Sequence, residues 1–161
     1  MFLLLLTLFA GQAGAADTKT EELLEIAGGA EPEEVRQLIQ GGADVNAKNE
    51  DGLTPLMLAA RYNSNPEILR ALMEAGADVN AKSTDGTTPL MAAASDNSNP
   101  EVLRVLIKAG ADVYERQKDG WTPLMFAARY NSNPEVLKAL LETGVDAKAK
   151  NNEGRTALDH A

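Results

Sequence analysis

The same short stretch recurs three times along this chain at a constant spacing. It reads DGLTPLMLAARYNSNPEILRALMEAG from Asp51, DGTTPLMAAASDNSNPEVLRVLIKAG from Asp85 and DGWTPLMFAARYNSNPEVLKALLETG from Asp119. The three starting residues are 34 positions apart, and Glu153 lies a further 34 positions on. A fixed period of this size predicts stacked copies of one small unit, because no single copy can bury its apolar side alone.

Signals inside one copy predict two short helices. Thr54 suits the N-cap of the first helix, with Pro55 in the first turn, where a missing N–H costs nothing. Asn65 and Pro66 repeat this arrangement at the start of the second helix. Asn63 is expected to end the first helix in the left-handed conformation, which asparagine tolerates.

The second helix is expected to end at Gly76, and a turn to follow. Apolar residues at helical spacing predict its buried stripe: Ile68, Leu69, Leu72 and Met73. No helical period continues beyond Gly76, and the run from Thr84 to Gly86 predicts a tight turn.

A short helix opened by TPL, a second helix followed by GADVN and a DG turn before the next copy together resemble the ankyrin repeat family. The resemblance covers about residues 20 to 161. It implies an all-α fold, an ankyrin-repeat solenoid of stacked helix-turn-helix units joined by β-turn fingers. Tetratricopeptide repeats share the period, but they join their helices directly, without the non-helical stretch that carries the DG turn.

The repeat register divides the chain. We expect a signal peptide at 1–16, a degenerate N-terminal capping repeat at 17–50, ankyrin repeats at 51–84, 85–118 and 119–152, and a partial C-terminal repeat at 153–161. The first copy is rich in glutamate, and a polar outer face is what a terminal cap needs where it meets water. In the last copy Thr156 begins another first helix, but no second helix follows, so the last unit is either a half-cap or part of a longer array. Three side chains are then expected to be only partly covered: Leu137, Leu140 and Leu141.

The first 16 residues resemble a secretory signal. An uncharged apolar run extends from Phe2 to Ala10, too short for a membrane-spanning helix but suited to the core of a signal peptide. Small residues follow, with cleavage expected before Ala16 or Asp17. No Lys or Arg precedes the run, which departs from the usual pattern, and a buried helix is the alternative. No cysteine follows, which excludes a lipoprotein anchor. The interpretation is a bacterial protein that is periplasmic or secreted, with no membrane association after cleavage.

Two features depart from the family pattern. Methionine replaces the histidine usual after TPL, at Met57, Met91 and Met125, and is expected to fill the core. The turn Asn63–Ser64–Asn65 replaces the usual glycine between the helices and accounts for the longer period. Repeated asparagines could hold calcium, but helix capping explains them more simply.

Composition argues against chemistry at a catalytic centre. The chain has no cysteine, one histidine (His160) and a formal charge of −9. A lone histidine beside the last residue makes neither a catalytic dyad nor a two-histidine metal site, and His160 is expected to have no chemical role. The acidic balance disfavours nucleic acid and anionic membranes. No catalytic residue, metal or cofactor is expected.

The resemblance implies a partner protein on the concave side, formed by the turn tips and the outward side of the first helices. Positions there that vary between otherwise matching copies are the candidates. The predicted partner-binding residues are Leu53, Arg61, Tyr62, Thr87, Asp96, Tyr114, Arg116, Trp121, Arg129 and Tyr130. Tyr, Trp and Arg commonly anchor interfaces, so we expect a hot spot at Tyr114, Trp121, Arg129 and Tyr130. The alternative is that the rings pack against neighbouring units and the arginines are ordinary surface charges.

The function implied is a non-enzymatic scaffold for protein–protein interaction, exported from the cytoplasm and binding an unidentified protein. The alternative is an inhibitory or purely structural spacer module, and a hydrolytic enzyme is disfavoured. The chain is expected to be a monomer unless the truncated last copy drives self-association.

Overall fold

The computed structural model describes residues 17–161, so the expected signal peptide lies outside the described residues. Helix α1 occupies 17–26. The later helices are α2 (Pro32–Gln40), α3 (Pro55–Tyr62), α4 (Pro66–Glu74), α5 (Pro89–Asp96), α6 (Pro100–Lys108), α7 (Pro123–Tyr130) and α8 (Pro134–Leu141), followed by a 3₁₀ helix, Leu158–His160. The part of the chain from 17 onward contains no strand, which confirms the all-α class. None of its helices is long and apolar enough to cross a bilayer.

The helices stack in two rows. Helix α5 packs between α3 and α7, and the 3₁₀ helix packs on α7. In the second row α4 packs between α2 and α6, and α8 follows on α6. The rows are joined within each unit, where α3 contacts α4, α5 contacts α6, and α7 contacts α8. The predicted solenoid is therefore confirmed.

One apolar interior runs through the stack. Leu72, Leu106 and Leu140 are fully buried and belong to the same cluster. The expectation that Leu140 is only partly covered was wrong, because α8 packs on α6 and α7, which precede it in the stack. Leu137 is half-buried and Leu141 is exposed, so for these two residues the expected partial cover is confirmed.

The caps follow the sequence signals at helix starts. Thr54 caps α3, and its hydroxyl accepts a hydrogen bond from the amide of Met57; Asn65 caps α4 in the same way. Equivalent threonines and asparagines cap the later helices. Met57 and its two equivalents are almost completely buried, which confirms them as core residues.

The expected left-handed conformation of Asn63 was wrong. Asn63 has φ −94° and ψ 119°, which is extended backbone. In this conformation its side-chain oxygen accepts from the amide of Asn65 at 2.9 Å, and its Nδ2 donates to the carbonyl of Ala30 at 2.9 Å. The conformation is therefore set by a bond to the preceding unit.

Equivalent asparagines continue this connection along the stack. Asn97 Nδ2 donates to the carbonyls of Ala60 and Asn63, both at 2.9 Å. Asn131 Nδ2 donates to the equivalent carbonyls one unit later, Ala94 at 3.0 Å and Asn97 at 2.9 Å. The asparagine ladder thus joins successive units and satisfies carbonyls at the ends of first helices.

The DG turns form a row of fingers beside the first helices. Gly86 has φ +87°, a conformation that only glycine adopts without strain, and the other DG glycine positions are similar. One backbone bond joins each finger to the next: Thr84 N to Asp51 O at 3.0 Å, Lys118 N to Asp85 O at 3.1 Å and Asn152 N to Asp119 O at 3.0 Å. The fingers therefore keep a fixed spacing along the first-helix row.

Candidate protein-binding surface

A groove lies between the fingers and the first helices of the first two full copies. It consists of two adjoining cavities of about 160 Å³ and 280 Å³. Both are lined by Leu53 and Asp85 from the fingers, by Thr87 just after the second finger and by Arg61 from α3. We call these residues, with Leu58, Ala92 and Asp96, the finger groove. Four residues predicted from the sequence lie here: Leu53, Arg61, Thr87 and Asp96.

Arg61 is engaged in an ion pair across the groove wall. Its Nε donates to Asp96 Oδ2 at 2.7 Å, which joins α3 to α5. Its Cζ lies 5.2 Å from the centroid of the Tyr62 ring. Both charged side chains are more than a third exposed, so the pair contributes little stability and can be exchanged for contacts to a partner.

Asp85 presents a fixed negative charge in the groove. Burial raises the pKa of its carboxyl, but hydrogen bonds from Ser83 Oγ and from the amide and hydroxyl of Thr87 outweigh this effect, so the pKa lies below its ordinary value. Both Thr87 bonds are 3.0 Å long. Thr87 therefore holds the carboxylate in one orientation.

In the third copy, Trp121 is the centre of an aromatic cluster. Its ring is half-buried and stacks on His160 with centroids 4.3 Å apart. Phe126 lies 5.3 Å away and Tyr130 lies 6.0 Å away, again between ring centroids. We call Trp121, Phe126, Tyr130 and His160 the aromatic cluster. Trp121 thus packs on the last, partial copy, as the alternative interpretation of the rings expected.

Tyr130 and Arg129 are placed differently from Trp121. Tyr130 remains 56% exposed although its ring stacks on that of Trp121. The Cζ atom of Arg129 lies 5.9 Å from the centroid of the Tyr130 ring, and within the described range Arg129 makes no ion pair. These two side chains, with the exposed Tyr62, are the predicted anchors that stay available to a partner.

His160 has a packing role. It is buried, and its Nε2 lies 3.4 Å from Asn151 Nδ2. The His160 ring also stacks on the ring of Trp121. No group of three or more acidic, histidine or cysteine side chains between 17 and 161 could hold a metal ion.

Tyr114 and Arg116 do not join the predicted hot spot. Tyr114 stands where the earlier copies have Asn46 and Asn80, and it is 63% exposed. Asn80 Nδ2 donates to Gly110 O at 3.1 Å and its Oδ1 accepts from Asp112 N at 2.8 Å, whereas the Tyr114 side chain makes no such bond. Arg116 donates to the carbonyl of Lys150 in the next copy. No ring contact connects Tyr114 with the aromatic cluster in the described structure.

Phe126 is a candidate that the sequence reasoning missed. It lines the smaller cavity of the finger groove and also contacts the Trp121 and Tyr130 rings, the latter with centroids 6.3 Å apart. It therefore joins the groove and the aromatic cluster into one surface. Its position varies between copies, from Leu58 to Ala92 to Phe126, so the comparison of copies contained the signal.

A further cavity of about 680 Å³ lies on the second-helix row, where α4, α6 and α8 meet. Its arginines face glutamate: Arg70 is 3.8 Å and Arg104 4.0 Å from Glu101. None of the predicted partner-binding residues lines this cavity.

Comparison with known families agrees with this architecture. The family described as Ankyrin repeats (3 copies) matches residues 23–117 and 96–161. A comparison with curated proteins found no match. The two matched ranges together extend from residue 23 to residue 161 and so include the finger groove, the aromatic cluster and both helix rows. The chain therefore belongs to the ankyrin repeat family.

Proposed function

We propose that this protein is a non-enzymatic scaffold that binds a partner protein through the finger groove and the adjoining aromatic cluster. Ankyrin repeats are in general modules for protein–protein interaction. The observation that carries the proposal is a continuous surface, from Leu53 through Phe126 to Tyr130, that combines an apolar floor with a charged rim. Such a mixture is typical of protein interfaces.

Variation between the copies supports this location. The core positions are nearly identical in the three full copies, whereas Leu53, Thr87 and Trp121 differ although they occupy the same place in the repeat. Packing between identical units restricts core residues but not outward ones. This position, which differs in all three copies, therefore lies on the surface that the proposed partner would touch.

The exposed tyrosines also support this location of the binding surface. Tyr62 and Tyr130 are 60% and 56% exposed, and each lies beside an arginine in the same helix. Tyrosine and arginine contribute a large share of binding energy in interfaces, because they bury area or form several directed bonds with little loss of flexibility.

We propose further that the protein is bacterial and acts in the periplasm or outside the cell. The support is the apolar run from Phe2 to Ala10 followed by small residues. Mass spectrometry of the N-terminus of the exported protein tests this directly. Cleavage before Ala16 or Asp17 is expected, and an intact N-terminus at Met1 in the cytoplasmic fraction would contradict the proposal.

The binding proposal is tested by capture from envelope and culture-fluid extracts of the producing organism. The double variant Arg129→Ala/Tyr130→Ala removes two exposed side chains and leaves the buried face of Trp121 and its contact with His160 in place. We expect the affinity for a captured protein to fall at least tenfold, about 1.4 kcal/mol. The double variant Arg104→Ala/Lys108→Ala, on the second-helix row, is the matched control. If Arg129→Ala/Tyr130→Ala binds as tightly as the wild type while the control variant loses binding, the proposed surface is wrong. That result would favour a spacer role for the finger side.

A further inference from the structure

One position in the first-helix row creates a gap in the finger groove. Leu58, Ala92 and Phe126 are equivalent residues of three consecutive first helices, and all three line the cavity of about 160 Å³. Alanine in the middle is much smaller than its two neighbours. We call the space over Ala92, between Leu58 and Phe126, the notch.

The floor of the notch is apolar and buried. Met57 and Met91 line the same cavity and are almost completely buried. Ala92 itself is only 6% exposed. An apolar side chain that entered the notch would therefore be covered on several sides, and its removal from water would favour binding.

The rim of the notch has an unbalanced negative charge. The positive charge of Arg61 is matched by Asp96 at 2.7 Å. Asp85 lines both cavities of the groove and Asp51 lines the larger one, and within residues 17–161 neither forms an ion pair. The hydrogen bonds from Ser83 and Thr87 hold the Asp85 carboxylate in place. Charge complementarity therefore favours a cationic group of the partner beside the notch.

We propose that the finger groove recognises a short partner segment in which one aliphatic side chain of about leucine size enters the notch and a neighbouring Lys or Arg pairs with Asp85. This inference rests on the proposed function, because it specifies what the same surface binds. Ala92 sets the size of the apolar side chain, and Asp85 and Asp51 set the sign of the charge beside it.

The proposal is tested with a displayed library of random twelve-residue peptides selected on the immobilised full-length chain. We expect the selected peptides to share an aliphatic residue with Lys or Arg nearby. A synthetic copy of the dominant peptide should bind at least tenfold more weakly to Ala92→Leu, which fills the notch, and several-fold more weakly to Asp85→Asn. Ala109→Leu is the matched control, because Ala109 is exposed at the end of α6 on the opposite row.

A second variant covers the case in which leucine at position 92 disturbs the fold, which circular dichroism would show. Phe126→Ala widens the notch, and selection on this variant should shift the apolar position of the peptides towards aromatic residues. Three results would each overturn the inference. The first is failure to enrich any peptide, and the second is absence of the paired aliphatic and basic residues in the selected peptides. The third is unchanged binding by Ala92→Leu together with unchanged selection by Phe126→Ala. If Ala92→Leu still binds the captured partner protein while Arg129→Ala/Tyr130→Ala does not, the scaffold function stands and the notch is wrong.

Discussion

The asparagine ladder predicts a large loss of stability when one member is removed. Asn97 is the central member, and its side chain is 4% exposed. Its amide donates to the carbonyls of Ala60 and Asn63, and its oxygen accepts from the amide of Asn99 at 3.0 Å. The carbonyl of Ala60 lies near the end of α3, where no later residue of the helix can donate to it. Asn97→Ala would leave these three groups without their partner.

The magnitude follows from these three bonds. A typical hydrogen bond contributes about 1 kcal/mol net, and a buried group left unsatisfied costs about 1–3 kcal/mol. We therefore expect Asn97→Ala to lower the free energy of unfolding by about 2–4 kcal/mol. With a urea dependence of about 2 kcal/mol per molar, the unfolding midpoint should fall by roughly 1–2 M. A domain of ordinary stability, about 5–15 kcal/mol, would therefore remain folded in buffer, and the loss can be measured.

Urea unfolding followed by circular dichroism measures this effect. Asn97→Asp keeps the oxygen that accepts from Asn99 but cannot donate, so it should lose at least as much stability as Asn97→Ala. Ser98→Ala is the adjacent control, since Ser98 is exposed and only its backbone carbonyl is used, by Asn133. A loss below about 0.5 kcal/mol in Asn97→Ala, or one equal to that of Ser98→Ala, would refute the argument that the ladder holds the units together.

Three further predictions concern single side chains. Tyr114→Asn should raise the free energy of unfolding by about 1 kcal/mol in urea titrations, because asparagine can bond to the carbonyl of Gly144 as its equivalents do one unit earlier; no gain would contradict this. The folded pKa of Asp85 lies below the unfolded value of about 3.9, so its carboxylate stabilises the fold above about pH 4 and this contribution disappears as the pH falls through the folded pKa. The urea midpoint of Asp85→Asn should therefore be lower than that of the wild type at pH 7, and the two midpoints should converge as the pH falls through the folded pKa; a constant difference would exclude this cause. His160→Ala should move the fluorescence emission of Trp121, the only tryptophan, to longer wavelength by exposing its stacked face, and an unchanged spectrum would show that His160 does not cover it.

The repeat unit itself could be predicted because its signals are local. The N-caps Thr54 and Asn65 each lie directly before a proline, and the caps act on amides two or three residues away. The buried stripes follow from helical spacing, and the stack follows from the period. For these features the answer lies within one copy, so comparison of three copies is enough to find it.

Contacts between copies could not be predicted in the same way. The conformation of Asn63 depends on the carbonyl of Ala30, 33 residues earlier, and local preference pointed to a different conformation. The stacking of Trp121 on His160 joins a full copy to the partial last one, so no earlier copy shows an equivalent contact. In both cases the decisive partner lies in another unit.

The candidate site was located in part. Comparison of copies selected four residues that line the finger groove, although their role in binding stays a prediction. It did not include Phe126, although that position differs between the copies. In the structure Phe126 lines the groove cavity, and only the packing of α7 against α5 brings it there.

The arrangement also explains how such a stack can vary its surface without losing its fold. Each unit is joined to its neighbours by the same small set of bonds, namely the finger-to-finger backbone bond and the asparagine side chains. When one position departs from the pattern, as Tyr114 does in place of asparagine, only the hydrogen bonds of that position are lost. The other hydrogen bonds between the units remain. The same holds for Ala92 and Phe126, whose side chains line the groove cavity and differ in size, while the preceding residues, Met91 and Met125, are identical. Changes in recognition are thus expected to arise at these groove-lining and exposed positions one at a time, with small and separable effects on stability.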